Sequence, residues 1–167
     1  MKTVNTTKST AVWTGKKFGG AHTGTIQLQE GNLDFKEDKI SGGSFKMNMD
    51  SLVVTDLDGE MKEKLEGHLK SDDFFSTTSF PTADLKITSI EKEKEGVYNA
   101  TASLTIKEIT NPINFQLLEA GDKLTATLTI DRSKYNVKYG SKSFFKGLGD
   151  NFIYDNFEVK VTLELEQ

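Results

Sequence analysis

The stretch Tyr98-Asn99-Ala100-Thr101-Ala102-Ser103-Leu104-Thr105-Ile106-Lys107 decides the fold class. Tyr98, Ala100, Ala102, Leu104 and Ile106 take every second position, with polar residues between them. This is the period of a strand with one buried and one wet face. Working outward, the same alternation recurs on both sides. Towards the N-terminus, His22, Gly24, Ile26 and Leu28 share one face, then Phe45, Met47 and Met49, then Leu85 and Ile87. Towards the C-terminus follow Ile113, Phe115 and Leu117; Leu124, Ala126, Leu128 and Ile130; and Phe157, Val159, Val161, Leu163 and Leu165.

Turn signals separate these runs at short spacing: Gly19-Gly20, Glu30-Gly31-Asn32, Gly42-Gly43, Glu95-Gly96, Gly121-Asp122 and Gly147 to Asp150. They read as hairpin connections. About eight strands joined by hairpins make an antiparallel meander, and closing it into a barrel removes both edges. The composition agrees, because 19 threonines stand against two prolines and Thr, Phe, Val and Ile favour pleated strands. The expected class is all-β, a single eight-stranded antiparallel barrel.

One segment breaks the rhythm. From Asp58 to Leu69, Met61, Leu65 and Leu69 recur four residues apart, the spacing of an amphipathic helix. Asp58 suits its N-cap, Asp56 and Glu60 its positive start, and Lys70 its end. This short helix near residues 58–70 is placed across one barrel opening, leading into Phe74-Phe75 and Phe80-Pro81.

The length of 167 residues predicts one domain spanning 1–167, and 35% hydrophobic residues make its core lean. The 21 basic and 25 acidic side chains give a net charge of −4, and no basic block is long enough to track a phosphate backbone, so nucleic acid is not expected as a partner. Having no cysteine, the chain makes no disulfide, thiolate metal site or cysteine nucleophile. No apolar run reaches the length of a membrane span, so stable membrane insertion is not expected. Met1 to Thr10 is polar and lacks a signal-peptide core. The expected setting is the periplasm if this is the mature form of an exported protein, and the cytoplasm otherwise.

The inward faces are thinned by Gly24, Ala100, Ala102 and Ala126, where a filled barrel calls for bulkier side chains. An eight-stranded barrel is either just filled by its side chains or holds one small ligand, and small inward residues favour the ligand. The competing reading is that Phe45, Phe115 or Trp13 occupies the gap.

Candidate chemistry is sparse. His22 and His68 are the two histidines, and neither has acidic residues at metal-ligand spacing, which favours structural roles and no metal. Asp72-Asp73 and the Glu-Lys alternation from Glu91 to Glu95 read as solvated charge. Gly147-Leu148-Gly149-Asp150 is too short for a phosphate cradle. Arg132, the only arginine in the chain, stands beside Asp131 at a strand end and suggests a need for a fork-shaped donor, with a structural ion pair or loop clamp favoured over a ligand contact. Lys16, Lys17, Lys138, Lys142 and Lys146 are candidates for a cationic rim.

Several segments together resemble the YceI-like family, bacterial lipocalin-like barrels that bind polyisoprenoid or related long-chain lipids. They are Trp13-Thr14-Gly15-Lys16-Lys17, Gly20-Ala21-His22-Thr23-Gly24, Gly42-Gly43-Ser44-Phe45, Met49-Asp50-Ser51-Leu52, and Gly67-His68-Leu69-Lys70-Ser71-Asp72-Asp73-Phe74-Phe75. Phe80-Pro81-Thr82-Ala83, Leu104-Thr105-Ile106-Lys107, Thr110-Asn111-Pro112-Ile113, Ile130-Asp131-Arg132 and Tyr139-Gly140 follow in the family's order. The family usually has glycine where this chain has Ala102 and Glu108, and often where it has Asn136. Asn136 tolerates a left-handed turn, whereas the methyl of Ala102 is expected to narrow the cavity.

The resemblance implies a long apolar tail threaded through the barrel with no chemistry performed on it. The expected lining is Trp13, His22, Ile26, Phe45, Met47, Leu69, Phe74, Leu85, Ile87, Leu104 and Phe115, with no catalytic residues, metal or cofactor beyond the bound lipid. The expected ligand is an isoprenoid quinone or polyprenyl phosphate. A fatty acid or fatty amide in the same tunnel is the alternative, and an enzyme acting on a bound lipid through His22 a more distant one. A second copy of the chain stands as a further candidate partner.

Overall fold

The computed structural model describes residues 1–17, 20–72, 74–137 and 153–166. The strands are β1 (Lys2–Thr3), β2 (Thr10–Lys17), β3 (Gly20–Lys36), β4 (Lys39–Val54), β5 (Thr82–Lys94), β6 (Val97–Ile106), β7 (Ile109–Ala120), β8 (Lys123–Asp131) and β9 (Ile153–Glu164). One helix, α1 (Gly59–Lys70), connects β4 to β5, and a 3-10 turn covers Arg132–Tyr135. Every pairing is antiparallel, and the sheet runs β3-β2-β9-β8-β7-β6-β5-β4. β3 also pairs with β4, which closes eight strands into a barrel. The short β1 adds to the outside of the ring, with Lys2 opposite Leu33.

The alternation that marked β6 is the alternation of burial: Tyr98, Ala100, Ala102, Leu104 and Ile106 are all buried. Two expected turns are strand interior instead. Glu30-Gly31-Asn32 lies within the 17 residues of β3, and Gly42-Gly43 within the 16 of β4. Gly31 is small because Phe45 packs over it, so that a Cβ would lie 2.8 Å from the Phe45 ring. The real β3–β4 turn is Glu37-Asp38, with φ of 53° and 64°, and Lys107-Glu108 at 53° and 62° joins β6 to β7. Both carry the left-handed pair that a two-residue hairpin demands, built here without glycine. Glu95-Gly96 and Gly121-Asp122 turn as expected. Gly19 and the segment from Gly147 to Asp150 lie outside the described residues, as do Asp73, Lys138, Tyr139, Gly140, Lys142 and Lys146.

Register shifts explain why strict alternation fails within the long strands. β3 is irregular between Leu28 and Glu30, so inward positions pass from Leu28 to Gly31 and Leu33. β4 is displaced where Gln27 pairs Asn48 but Thr25 already pairs Val53. Ser51 fills that bulge: its hydroxyl accepts from the Gln27 N–H at 2.8 Å and donates to the Asn48 carbonyl at 2.6 Å. Inward positions accordingly move from Met49 to Leu52 and Val54.

The two barrel ends differ. At one end the turns are tight, and Leu33, Tyr98, Leu124, Leu163 and Leu165 fill the interior. Tyr98 is fully buried and its hydroxyl reaches the Ile40 N–H at 3.5 Å, crossing from β6 to β4 as a plug. The other end carries the longer connections, including α1.

Candidate functional site: an apolar cavity under a helical roof

Between the Tyr98 plug and α1 the barrel holds a partly open cavity of about 490 Å³, a volume typical of small-molecule sites. The walls come from alternate residues of the strands: Ile26 and Leu28, Phe45, Met47 and Met49, Leu85 and Ile87, Leu104 and Ile106, Phe115 and Leu117, and Leu128 and Ile130. Phe157, Val159, Val161 and Leu163 complete them.

Leu65, His68 and Leu69 of α1 form the roof with Phe74 and Phe75. The helix has no fully buried residue, and Met61, expected on its buried stripe, is 66% exposed. Only the Leu65–Leu69 part of that stripe borders the cavity. Asp58 occupies the N-cap position without a side-chain capping bond. The helix is held instead by Glu66, whose carboxylate accepts from the Val54 N–H at 2.8 Å. His68 meets Phe74 edge-on with ring centres 5.0 Å apart, and Phe75 meets Phe157 at 6.0 Å, so aromatic contacts lace the roof to β9.

All eleven residues expected in the lining border this cavity. The reason expected for the space needs correction, however. Gly24 leaves no void: a Cβ there would lie 2.5 Å from the Trp13 indole, which occupies the position. Ala100 and Ala102 are buried but do not border the cavity, so the methyl of Ala102 narrows nothing, while Ala126 does border it. Residues on β8 and β9 that the alternation had placed inward, such as Leu128, Ile130, Val159 and Val161, belong to the lining as well.

Polar groups are few and stand at the edges. His22 Nδ1 lies 2.9 Å from Asp56 Oδ2, and Asp56 Oδ1 accepts from the Thr23 N–H at 3.2 Å. Partial burial works against the Asp56 carboxylate, but the bonds from His22 and Thr23 outweigh it and hold its pKa below the ordinary value. Arg132 is 3% exposed and serves as the loop clamp its isolation suggested. Its Nη1 donates to the Val137 carbonyl at 2.9 Å, and the guanidinium lies 5.5 Å over the Phe74 ring. Burial lowers its pKa, while the charges of Asp155 and Asp131 work in the opposite direction. Arg132, Lys16 and Asp84 also border the cavity. Among the described residues no group of three or more His, Asp or Glu side chains is placed to hold a metal ion, and no helix is long and apolar enough to cross a membrane.

The YceI-like domain model matches residues 3–165. The chain belongs to the YceI-like family. Among its YceI-like relatives are a UPF0312 protein of Photorhabdus laumondii, 34% identical over 101 residues, and the protein YceI of Shigella flexneri, 30% identical over 101 residues. Each alignment covers 59% of this chain and 50% of the relative, so the chain spans about half the length of the curated relatives it matches. The YceI-like barrel is also that of BcnA from Burkholderia cenocepacia, with a TM-score of 0.76 at 21% identity over 98% of this chain and 99% of that one. A polyisoprenoid-binding domain from Saccharophagus degradans has the same fold, with a TM-score of 0.69 at 13% identity over 98% and 97%.

Proposed function

We propose that this chain binds a long-chain apolar lipid inside the barrel and stores or carries it without altering it. The observation that carries this reading is the 490 Å³ apolar cavity, plugged at one end and roofed at the other. Each methylene moved from water into such a space stabilises the complex by about 0.8 kcal/mol, so a partly buried tail supplies ample driving force before ordering costs are subtracted. Met47 and Met49 add walls that adapt to a flexible chain. The favoured ligand class is a polyisoprenoid, an isoprenoid quinone or a polyprenyl phosphate, in keeping with the family and with the Saccharophagus degradans domain of the same fold.

Carriage without chemistry is supported by the lining, which is apolar apart from a few polar residues such as Lys16, His22, Asp84 and Arg132. The setting we propose is bacterial and periplasmic, where an apolar lipid crossing the water between two membranes needs a shield.

Native mass spectrometry of the purified protein, followed by lipid extraction, tests the reading. The expected result is a mass increment equal to an isoprenoid extracted from the same sample. A chain that stays unloaded when offered isoprenoids and fatty-acid derivatives would overturn it.

A further inference from the structure

We propose that the seam between β7 and β8 is a lateral portal through which a lipid tail enters and leaves the barrel, an inference that rests on the lipid-binding reading above. β7 is paired with β6 from Ile109, opposite Ile106, to Leu118, opposite Val97. β8 is likewise paired with β9 from Lys123 opposite Glu164 to Asp131 opposite Asn156. Between β7 and β8, by contrast, only Leu118, Glu119 and Ala120 pair with Thr125, Leu124 and Lys123, next to the Gly121-Asp122 turn. From Ile109 to Leu117 on one side and Ala126 to Asp131 on the other, no backbone pairing joins the strands among the described residues.

Pro112 sits in this stretch of β7. A proline fits a strand where one flank has no ladder to complete, so its presence is consistent with an open edge. Immediately inside the seam stand cavity walls from both strands, Phe115 and Leu117 facing Ala126 and Leu128.

Side chains close the upper seam where backbone bonds do not. The segment Arg132–Val137 folds against β7, with Tyr135 and Val137 buried in the core. Two side chains pin it: Asn111 Nδ2 donates to the Lys134 carbonyl at 3.0 Å, and Lys107 Nζ donates to the Asn136 carbonyl at 3.0 Å. Opening any other wall breaks a longer ladder, and the far end is plugged by Tyr98. Among the described residues, parting β7 from β8 above Leu118 breaks no ladder pairing.

The absence of native cysteine makes the test direct. Gln116→Cys with Thr127→Cys brackets the seam, and a bifunctional maleimide bridges it. The control bridges Thr127→Cys to Lys160→Cys across the fully paired β8–β9 ladder. The probe is dansyl-labelled farnesol, followed at equilibrium by titration and in time by stopped-flow fluorescence.

The expected result is uptake slowed roughly tenfold or more by the seam bridge and unchanged by the control bridge, as for a gate that has been locked. Saturable binding with equally fast uptake in both bridged forms would overturn the portal alone. Failure of the unmodified chain to bind removes the lipid-binding reading and this inference with it. Residue-resolved hydrogen exchange on the unmodified chain decides the matter independently of the bridges. The portal requires fast exchange at amides of Ile109–Leu117 and Ala126–Asp131 that point into the seam, and protection there equal to the β8–β9 ladder would exclude it.

Discussion

Glu108 stands at φ 62° in the β6–β7 turn, a left-handed position that costs a side chain bearing a Cβ about 1–2 kcal/mol. Glu108→Gly relieves that strain and loses part of the gain to the freer unfolded chain, so we expect a net stabilisation of up to about 1 kcal/mol, read from the urea midpoint at an unchanged slope. Neighbouring Lys107 is left in place because its ammonium donates to the Phe74 and Asn136 carbonyls.

The His22–Asp56 contact yields a pH dependence. The folded chain holds the Asp56 carboxylate below its ordinary pKa through the bonds from His22 and Thr23, so the ionised carboxylate contributes stability above the ordinary carboxylate range. That contribution drains away as pH falls through the lowered value, from about pH 4 downward. Asp56→Asn should therefore flatten the acid limb of a melting-temperature profile and lower stability at neutral pH. An unchanged acid limb would deny the pair this role. At this scale the sequence was legible for Arg132, whose isolation signalled a clamp, but not for Asp56. Nothing local marks a carboxylate 34 residues from the histidine that it meets.

At the scale of elements, regular alternation translated directly into burial for β6 and, in β8, for Leu124, Leu128 and Ile130. It failed in β3 and β4 because a bulge changes which residues face inward without leaving any mark on composition. Glycines there resemble turn signals, although Gly31 and Gly43 are small because neighbouring strands and side chains crowd them. The turns at Glu37-Asp38 and Lys107-Glu108 went unread for the converse reason, since charged residues hold the left-handed positions. The helix was found by its period, but its depth was not: a four-residue repeat does not tell a buried stripe from a roof that covers its cavity with only two leucines and a histidine.

For the whole molecule, the lining was legible because an inward face is shared by every strand, whereas the origin of the free volume was not. Trp13 fills the place of Gly24, and the space instead remains between the roof and the filled end. Ala126 is the small residue bordering it that the sequence had singled out. Ala126→Trp should occupy part of the cavity and weaken binding of dansyl-labelled farnesol by about tenfold or more, which corresponds to at least ~1.4 kcal/mol, with far-ultraviolet circular dichroism unchanged. Undiminished affinity would place the ligand elsewhere on the barrel.

The Tyr98 plug makes the interior a blind-ended sleeve, and such a sleeve measures what it receives. On the lipid-binding proposal, a tail shorter than that depth would be taken in whole, while a longer one would stop at the tyrosine and leave its surplus outside the barrel. On the same proposal the protein would conceal a short lipid almost entirely and display the functional end of a long one, so tail length would set how much of the cargo an acceptor could reach.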